Sequence, residues 1–459
     1  MFKKVEMWLV ILVCLIMFIA QILSNSLIID HYTGGKNFKT LKKIIFYIAE
    51  VPINLKEIFN ISKRNESISK IDKAKLKEIN STSNFIKNDH KKGYILTSVF
   101  SPKIGSTKTV LINLTDEKIF KEWQIDFNDL ENKTKFKIIP KIFRSQHPLL
   151  LSDGSIVITE GEGPMVNISR CNEINWVLDK HTHHAINKID DKNLIINTVK
   201  YDNNFSYMSE FDKKKIANME NNLRDDSFSY FNLDKKKVTQ EFSLIKIFHD
   251  NNLLYHIYNH ENLLFKDKLL ENLKNNINIR TDKKYDLDIF HLNDAEYINK
   301  EDGILKKGDI ILSLRNLNMV LIYRPSNNKV IKYKIGPWTH QHDVEYRNGK
   351  IFIFGNDNLM SNKRTRKSSS IYTWHLQSEQ VNTLLNLDDP VASGGLYEIL
   401  DDNEILIDIG NKIYIYQIKP KKLIMEFIFK YSKKYSLQMH WARYYADEEI
   451  DLSKLQCSK

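Results

Sequence analysis

The sequence predicts an all-β fold, a six-bladed β-propeller with helical insertions, preceded by an N-terminal membrane helix. Three observations carry this expectation. First, short β-rich runs are separated by turn residues: Asp309–Leu314, then Met319–Tyr323 after Arg-Asn-Leu-Asn, then Val330–Ile335 after Pro325-Ser-Asn-Asn-Lys. Second, units of this kind open on a histidine or glycine, pass through a turn and reach an apolar triplet. They start at His147, His184, His291, His342 and Gly395. A repeat of about 40–50 residues with four short strands is the mark of a propeller. Third, most units close on a large apolar residue: Trp123, Trp176, Phe242, Tyr333 and Phe427. A pair of β-sandwiches does not explain why one residue type opens successive units.

Taken in order, the 459 residues exceed an ordinary single domain but fit one large β-architecture. Met1-Phe-Lys-Lys precedes an apolar run from Met7 to Leu23 in which only Gln21 is polar. This reads as an uncleaved signal-anchor over residues 1–29, the alternative being a signal peptide cleaved near Ser24-Asn-Ser26. Lysines on both sides of the run leave its orientation undecided by charge. In 30–91, Leu41, Ile44, Ile45, Ile48 and Ala49 recur at helical spacing and Pro52 ends the pattern, giving a juxtamembrane helix. The Lys/Asn/Ser-rich stretch 62–90 reads as a linker. The propeller is expected over 92–445 and a tail over 446–459. Met208–Arg224 and Asn252–Asn275 read as helical insertions in the long gap between His184 and His291.

The net charge of +11 comes from dispersed lysine, with no arginine-rich patch or RNA-binding signature, so nucleic acid is not an expected partner. No Walker-type glycine loop is present, which disfavours a nucleotide-dependent enzyme. Of the three cysteines, Cys14 lies in the apolar run. Cys171 and Cys457 either form a disulfide that ties the tail to the propeller or remain two thiols.

The first strand of a blade lines the channel, so His147, His184, His291 and His342 are expected to face one another near its mouth. Such a cluster suits a metal site, a nucleophile site or an anion-binding mouth. Imidazole is a common metal ligand, and His181 and His183 bracket Thr182. The mouth of a six-bladed propeller is wide, however, and no carboxylate accompanies that pair, so no metal site is assigned.

At this point the chain resembles the arylsulfotransferase (ASST) family of PAPS-independent sulfotransferases. The residues that carry the resemblance are Asp153-Gly-Ser-Ile-Val-Ile-Thr-Glu-Gly-Glu-Gly, His291-Leu-Asn-Asp, Leu312-Ser-Leu-Arg-Asn-Leu, Gly336-Pro-Trp-Thr-His-Gln-His-Asp and Ser393-Gly-Gly-Leu. The resemblance implies a cofactor-free transfer of a sulfuryl group from an aryl sulfate donor to a phenolic acceptor through a sulfated histidine. It implies that His342 carries the sulfuryl group, with Arg315, His291 and His184 around it. His183 is the neighbour that competes for the His184 position. Asn293 and Asn316 would orient substrate or neighbouring groups, or serve as turn and bulge residues. The family's usual position implies a single-pass protein of a bacterial inner membrane with its propeller in the periplasm. The competing expectation is a non-catalytic, membrane-anchored propeller that binds an anionic glycan or a protein partner.

Overall fold

Antiparallel pairing of neighbouring strands builds almost all of the structure. It is a computed structural model that describes residues 76–78, 83–101, 105–200, 206–210, 212, 223–258, 287–357, 369–387, 391, 394–432 and 435–457, with Leu12 and Leu15 in addition. The chain divides into Met1–Lys73 and Ala74–Lys459. In the first unit only Leu12 and Leu15 are described; both are helical and exposed. The expected membrane and juxtamembrane helices otherwise lie outside the described residues. Among the described residues no helix is long and apolar enough to cross a membrane.

The fold is all-β and propeller-like. Four discrete blades are formed. One is Leu292–Tyr297, Ile310–Leu314, Met319–Arg324 and Lys329–Ile335; the next is Val344–Arg347, Lys350–Gly355, Ser370–His375 and Val381–Asn386. A third runs Leu396–Ile399, Glu404–Asp408, Ile413–Gln417 and Lys422–Phe427, with Phe85–Asn88 added at its outer edge. In the fourth, Met439–Tyr445 pairs with Tyr94–Ser101, which is followed by Ser106–Asn113 and Lys118–Trp123. The last long strand of the chain thus completes a blade begun by its first ones.

The expectation of six separate blades is not met by this pairing. The strands from Gln146–Leu150 to Lys237–Ser243 form one continuous sheet, because Ile174–Lys188 runs 15 residues without a break. Its first part pairs with Gly163–Ile168 and its last part with Asn193–Lys200. The short strand Leu287–Asp288 joins the same sheet, in parallel with Leu223–Arg224. A small separate sheet joins Leu76–Glu78, Tyr435–Leu437 and Phe429–Lys430.

Apolar content distinguishes the middle strands of a blade from the outermost one. Met319–Arg324 is almost continuously apolar and buried, whereas Lys329–Ile335 alternates lysine with Val, Ile and Tyr at the outer edge. The turns before and after Met319–Arg324 place Asn318 and Asn328 at φ of 50° and 56°, the left-handed region that asparagine tolerates. The core lies between neighbouring sheets. Ile311, Val320 and Ile322 pack on Val344, Ile351, Ile353 and Trp374, and Ile95, Val110 and Ile112 pack on Leu406, Ile413 and Met425.

Buried polar side chains then hold the backbone of the innermost strands. Gln146 Oε1 accepts from His184 N (3.2 Å), Asp226 Oδ2 from Leu292 N (3.0 Å) and Asp294 Oδ2 from Val344 N (3.2 Å). Asp343 Oδ2 accepts from Tyr397 N (3.3 Å) and Asp408 Oδ2 from Ala442 N (2.9 Å). These bonds fix the strand starts, which is where the histidines sit.

Two further expectations are corrected. Leu223 and Arg224 begin the strand Leu223–Asn232 rather than ending a helix, because that segment pairs along Asn193–Lys200. In the second insertion the helix starts earlier than expected: Leu244–Asp250 is capped by Ser243 and buries Leu244, Ile245, Ile247 and Phe248. A short helix, Tyr255–Tyr258, follows, and 259–286 lies outside the described residues. The end of the expected linker is also ordered. Leu76–Glu78 and Phe85–Asn88 are strands, and Phe85 packs edge-on against Phe427 with centroids 4.9 Å apart. Beyond Tyr445 the tail turns back, buries Leu455 and is joined by a Cys171–Cys457 disulfide.

Candidate active site

The backbone prepares the site before any side chain does. His147, His184, His291 and His340 have φ of 44°, 55°, 50° and 49°, and Trp441 has 51°. The left-handed region costs a non-glycine residue roughly 1 kcal/mol or more and persists only where its surroundings enforce it. Register shifts fall at the same places: around His147 in Gln146–Leu150, around His184 in Ile174–Lys188 and around Trp441 in Met439–Tyr445. A bulge re-aims the side chain it carries. Here it brings imidazoles from distant strands together.

His184 is at the centre. Its ring centroid is 5.1 Å from that of His291, 6.1 Å from His342 and 6.1 Å from Trp441. His184 Nε2 and His291 Nε2 are 3.1 Å apart. His147 packs on Trp441 with centroids 4.9 Å apart. The sequence spacing left His183 and His184 as rivals, and the structure separates them. His183 is buried behind the cluster, where Arg224 Nη2 donates to its Nε2 (2.9 Å). His181 is directed elsewhere, its Nδ1 3.0 Å from the Glu162 carbonyl oxygen.

The tautomer of His342 follows from its partners. Asn356 Nδ2 donates to the carbonyls of Val391 (3.1 Å) and Gly394 (2.7 Å), so its Oδ1 faces His342 Nδ1 at 2.5 Å. The His340 carbonyl is also 3.2 Å from that nitrogen. Two acceptors require the hydrogen on Nδ1 and leave the lone pair on Nε2. Nε2 accepts from the Gly394 N–H (3.0 Å). Burial and then the charge of Arg315 push His342 down to about 3, so the ring is neutral at ordinary pH. His184 is pushed well below its ordinary value by burial and by its histidine neighbours.

Arg315 opens the turn Arg315–Leu317 and is tied to His291, its backbone N–H donating to the His291 carbonyl (3.1 Å). Asn316 steers it: Asn316 Oδ1 accepts from Arg315 Nη1 (2.9 Å) while its Nδ2 donates to the Asp288 carbonyl (2.7 Å). Asn293 is buried with its Nδ2 donating to the Gln341 carbonyl (2.8 Å).

Sequence reasoning did not find Asp288, Arg224, Asp226 or Asn356, and it quoted Gly394 only within Ser393-Gly-Gly-Leu, without a role. Asp288 meets His291 Nδ1 through its carboxylate. Arg224 is buried among Asp226 (2.8 Å), Glu162 (2.6 Å) and Asp288 (3.6 Å). Asp288 stands three residues before His291, a spacing visible in the sequence, but Arg224 and Asn356 come from other strands and leave no such trace. Among the described residues no group of three or more His, Cys, Asp or Glu is arranged to hold a metal ion.

Among solved structures, the chain is similar to a protein of unknown function from Bacteroides caccae, at 10% identity and a TM-score of 0.41, covering 74% of this chain and 97% of that one. It is similar also to TolB from Acinetobacter baumannii, at 10% identity and a TM-score of 0.38, covering 77% and 66%. Hydrazine synthase of Kuenenia stuttgartiensis aligns at 9% identity and a TM-score of 0.38, covering 73% and 79%. No match is found among the curated proteins. The family profile described as arylsulfotransferase (ASST) matches residues 147–430 of the 459. That stretch begins at His147 and takes in His184, His291, Arg315 and His342, and over it the chain belongs to the arylsulfotransferase (ASST) family.

Proposed function

We propose that the chain is a PAPS-independent aryl sulfotransferase that moves a sulfuryl group from an aryl sulfate to a phenolic acceptor through a sulfated His342. The observation that carries this reading is the fixed tautomer of His342: Nδ1–H is held by Asn356, and the Nε2 lone pair is directed to where the Gly394 amide now donates. A neutral imidazole with a defined lone pair is a competent nucleophile near neutral pH. In the first half-reaction Nε2 forms the N–S bond while the ester S–O bond breaks and the electron pair leaves with the aryl oxygen. In the second, the acceptor oxygen attacks the sulfur and the pair of the N–S bond returns to Nε2. By analogy with phosphoryl transfer, charge spreads over three equatorial oxygens. The planar fork of Arg315, steered by Asn316, suits two of them. The Gly394 N–H, freed once Nε2 is bonded to sulfur, suits a third.

The same reading takes the continuous sheet as two blades joined through Ile174–Lys188, for six in all. It is supported by packing of the two halves against each other, with Leu149, Val157 and Met165 meeting Ile186, Leu194, Ile196 and Phe231. The apolar run 7–23 would then hold the propeller on the periplasmic side of a bacterial inner membrane. The Cys171–Cys457 disulfide supports an oxidising compartment.

The test uses the full-length chain with 4-nitrophenyl sulfate and no nucleotide, stopped before a phenol is added. Mass spectrometry should find the sulfuryl mass on the peptide containing His342, and His342→Ala should lose both half-reactions while remaining folded. Turnover by His342→Ala at the parent rate would refute the covalent route. Ligand binding with no transfer would point to a non-catalytic propeller.

A further inference from the structure

Sulfuryl transfer between two phenols moves a proton as well as a sulfuryl group. The departing aryl oxide takes one up and the acceptor phenol gives one away. His342 cannot carry it, because its Nδ1–H stays with Asn356 and its Nε2 is occupied by sulfur. The remaining histidines differ in one respect. His183 has its Nε2 3.3 Å from Asp226 Oδ1, but the same nitrogen receives a hydrogen from Arg224 (2.9 Å), and burial and then Arg224 lower that ring. His184 has a buried Nδ1 without a hydrogen-bond partner and no carboxylate beside it. His291 alone among the described rings of the cluster combines a ring nitrogen on a carboxylate, that of Asp288, with its other ring nitrogen directed at a second imidazole.

Asp288 is built to remain charged there. Burial alone would raise its carboxyl, but Arg224 and then His291 hold it well below the ordinary aspartate range. Arg224 is in turn anchored by Asp226 and Glu162, so the clamp on Asp288 does not depend on His291. With Nδ1–H committed to Asp288, His291 directs Nε2 into the cluster, 3.1 Å from His184 Nε2. A single hydrogen lies between those two nitrogens. The groups that face His291 are therefore Asp288 from its own segment, Arg224 and Asp226 from Leu223–Asn232, His183 and His184 from Ile174–Lys188, His342 from the next blade, and Arg315 from the turn bonded to its carbonyl.

We propose that Asp288 is the positioning residue that makes His291 the proton carrier of both half-reactions. In the first, imidazolium His291 gives its Nε2 proton to the departing aryl oxide and becomes neutral. In the second, its Nε2 lone pair takes the proton of the acceptor phenol as the phenol oxygen bonds to sulfur. The proton is returned once per cycle and no further reactant is needed. The proposal rests on His342 as the nucleophile.

The readout is the dependence of His342 sulfurylation on the leaving group, followed by mass spectrometry on the full-length chain. A 4-nitrophenoxide leaves without help, whereas an unsubstituted phenoxide needs a proton. General acid catalysis contributes about 10²–10⁴-fold. In Asp288→Asn the ratio of the rates with 4-nitrophenyl sulfate and phenyl sulfate should therefore widen by about 10²-fold. His291→Gln should widen it equally, and the double variant should add nothing to either. A structural role would lower both rates together and leave the ratio unchanged, and that result in either variant overturns the proposal. Failure to find the sulfuryl mass on His342 in the parent protein would instead remove the transfer reading itself, and this proposal with it.

Discussion

An imidazole attacks through whichever nitrogen lacks a hydrogen, so one amide decides what His342 can do. Asn356 has both donor hydrogens engaged with carbonyls, and only its oxygen is left for Nδ1. Replacing that oxygen with a carboxylate tests the role. In Asn356→Asp the negative charge favours imidazolium, which has no lone pair. The parent ring, pushed down to about 3 by burial and then Arg315, stays neutral far into acid. The acid limb of His342 sulfurylation by 4-nitrophenyl sulfate should thus lie at higher pH in Asn356→Asp than in the parent, with about a tenfold fall per pH unit below it. Superimposable pH profiles would remove Asn356 from this role. The position of His342, the proposed nucleophile, was legible in the sequence because it opens a repeated unit. The residue that selects its tautomer was not, since Asn356 acts through a hydrogen bond across a strand pair, and hydrogen-bond partners leave no periodicity.

At the scale of elements, periodicity read the strands well and the connections poorly. The runs Ile310–Leu314, Met319–Arg324 and Lys329–Ile335 fall where apolar content and turn residues placed them. The start of Leu223–Asn232 was assigned to a helical insertion ending at Arg224, whereas Arg224, Asp225 and Asp226 are buried and satisfied by one another and by neighbouring elements. Phe85–Asn88 was missed because four residues in a Lys/Asn-rich setting carry too little pattern to stand out. Cys171–Cys457 was left open in the sequence, since pairing depends on how the tail returns to the sheet, which the structure supplies. The pairing gives a test of the proposed compartment. Protein isolated from cells in the presence of an alkylating agent should keep Cys171 and Cys457 unmodified until a reductant is added. Both thiols alkylated without reduction would place the propeller in a reducing compartment and sink the periplasmic assignment.

Across the whole molecule, the bonds that hold the innermost strands come largely from buried carboxyl groups, and this has a consequence for pH. Asp343 and Asp294 hydrogen-bond to each other, and burial raises both. Burial likewise brings Glu345 and Glu398 up to about 7 and Asp408 up to about 6. A carboxyl whose folded value is raised stabilises the fold fully below its unfolded value and loses that contribution as pH rises through the folded one. The channel histidines have the opposite sign: their lowered folded values favour the fold above about pH 6.5 and oppose it toward acid. A pH titration of the parent alone therefore mixes two opposing trends, and a difference between two proteins is needed to separate them. Glu345 suits this because Oε2 accepts from Ile399 N (3.2 Å), with Arg347 and Asp294 as the charges that bear on it, and its own charge in turn raises Glu296, Asp343 and Glu398. A glutamine keeps the acceptor and removes the titration, while every histidine is common to both proteins and cancels. Glu345→Gln should accordingly gain stability relative to the parent as pH rises from about 4.5 to about 7. The shift from an ordinary glutamate to about 7 corresponds to a gain on the order of 3 kcal/mol, flat on either side of that window. Urea denaturation at pH 4.5 and pH 7.5 measures it, and a difference between the two proteins that stays constant would mean that Glu345 is already ionised in the fold.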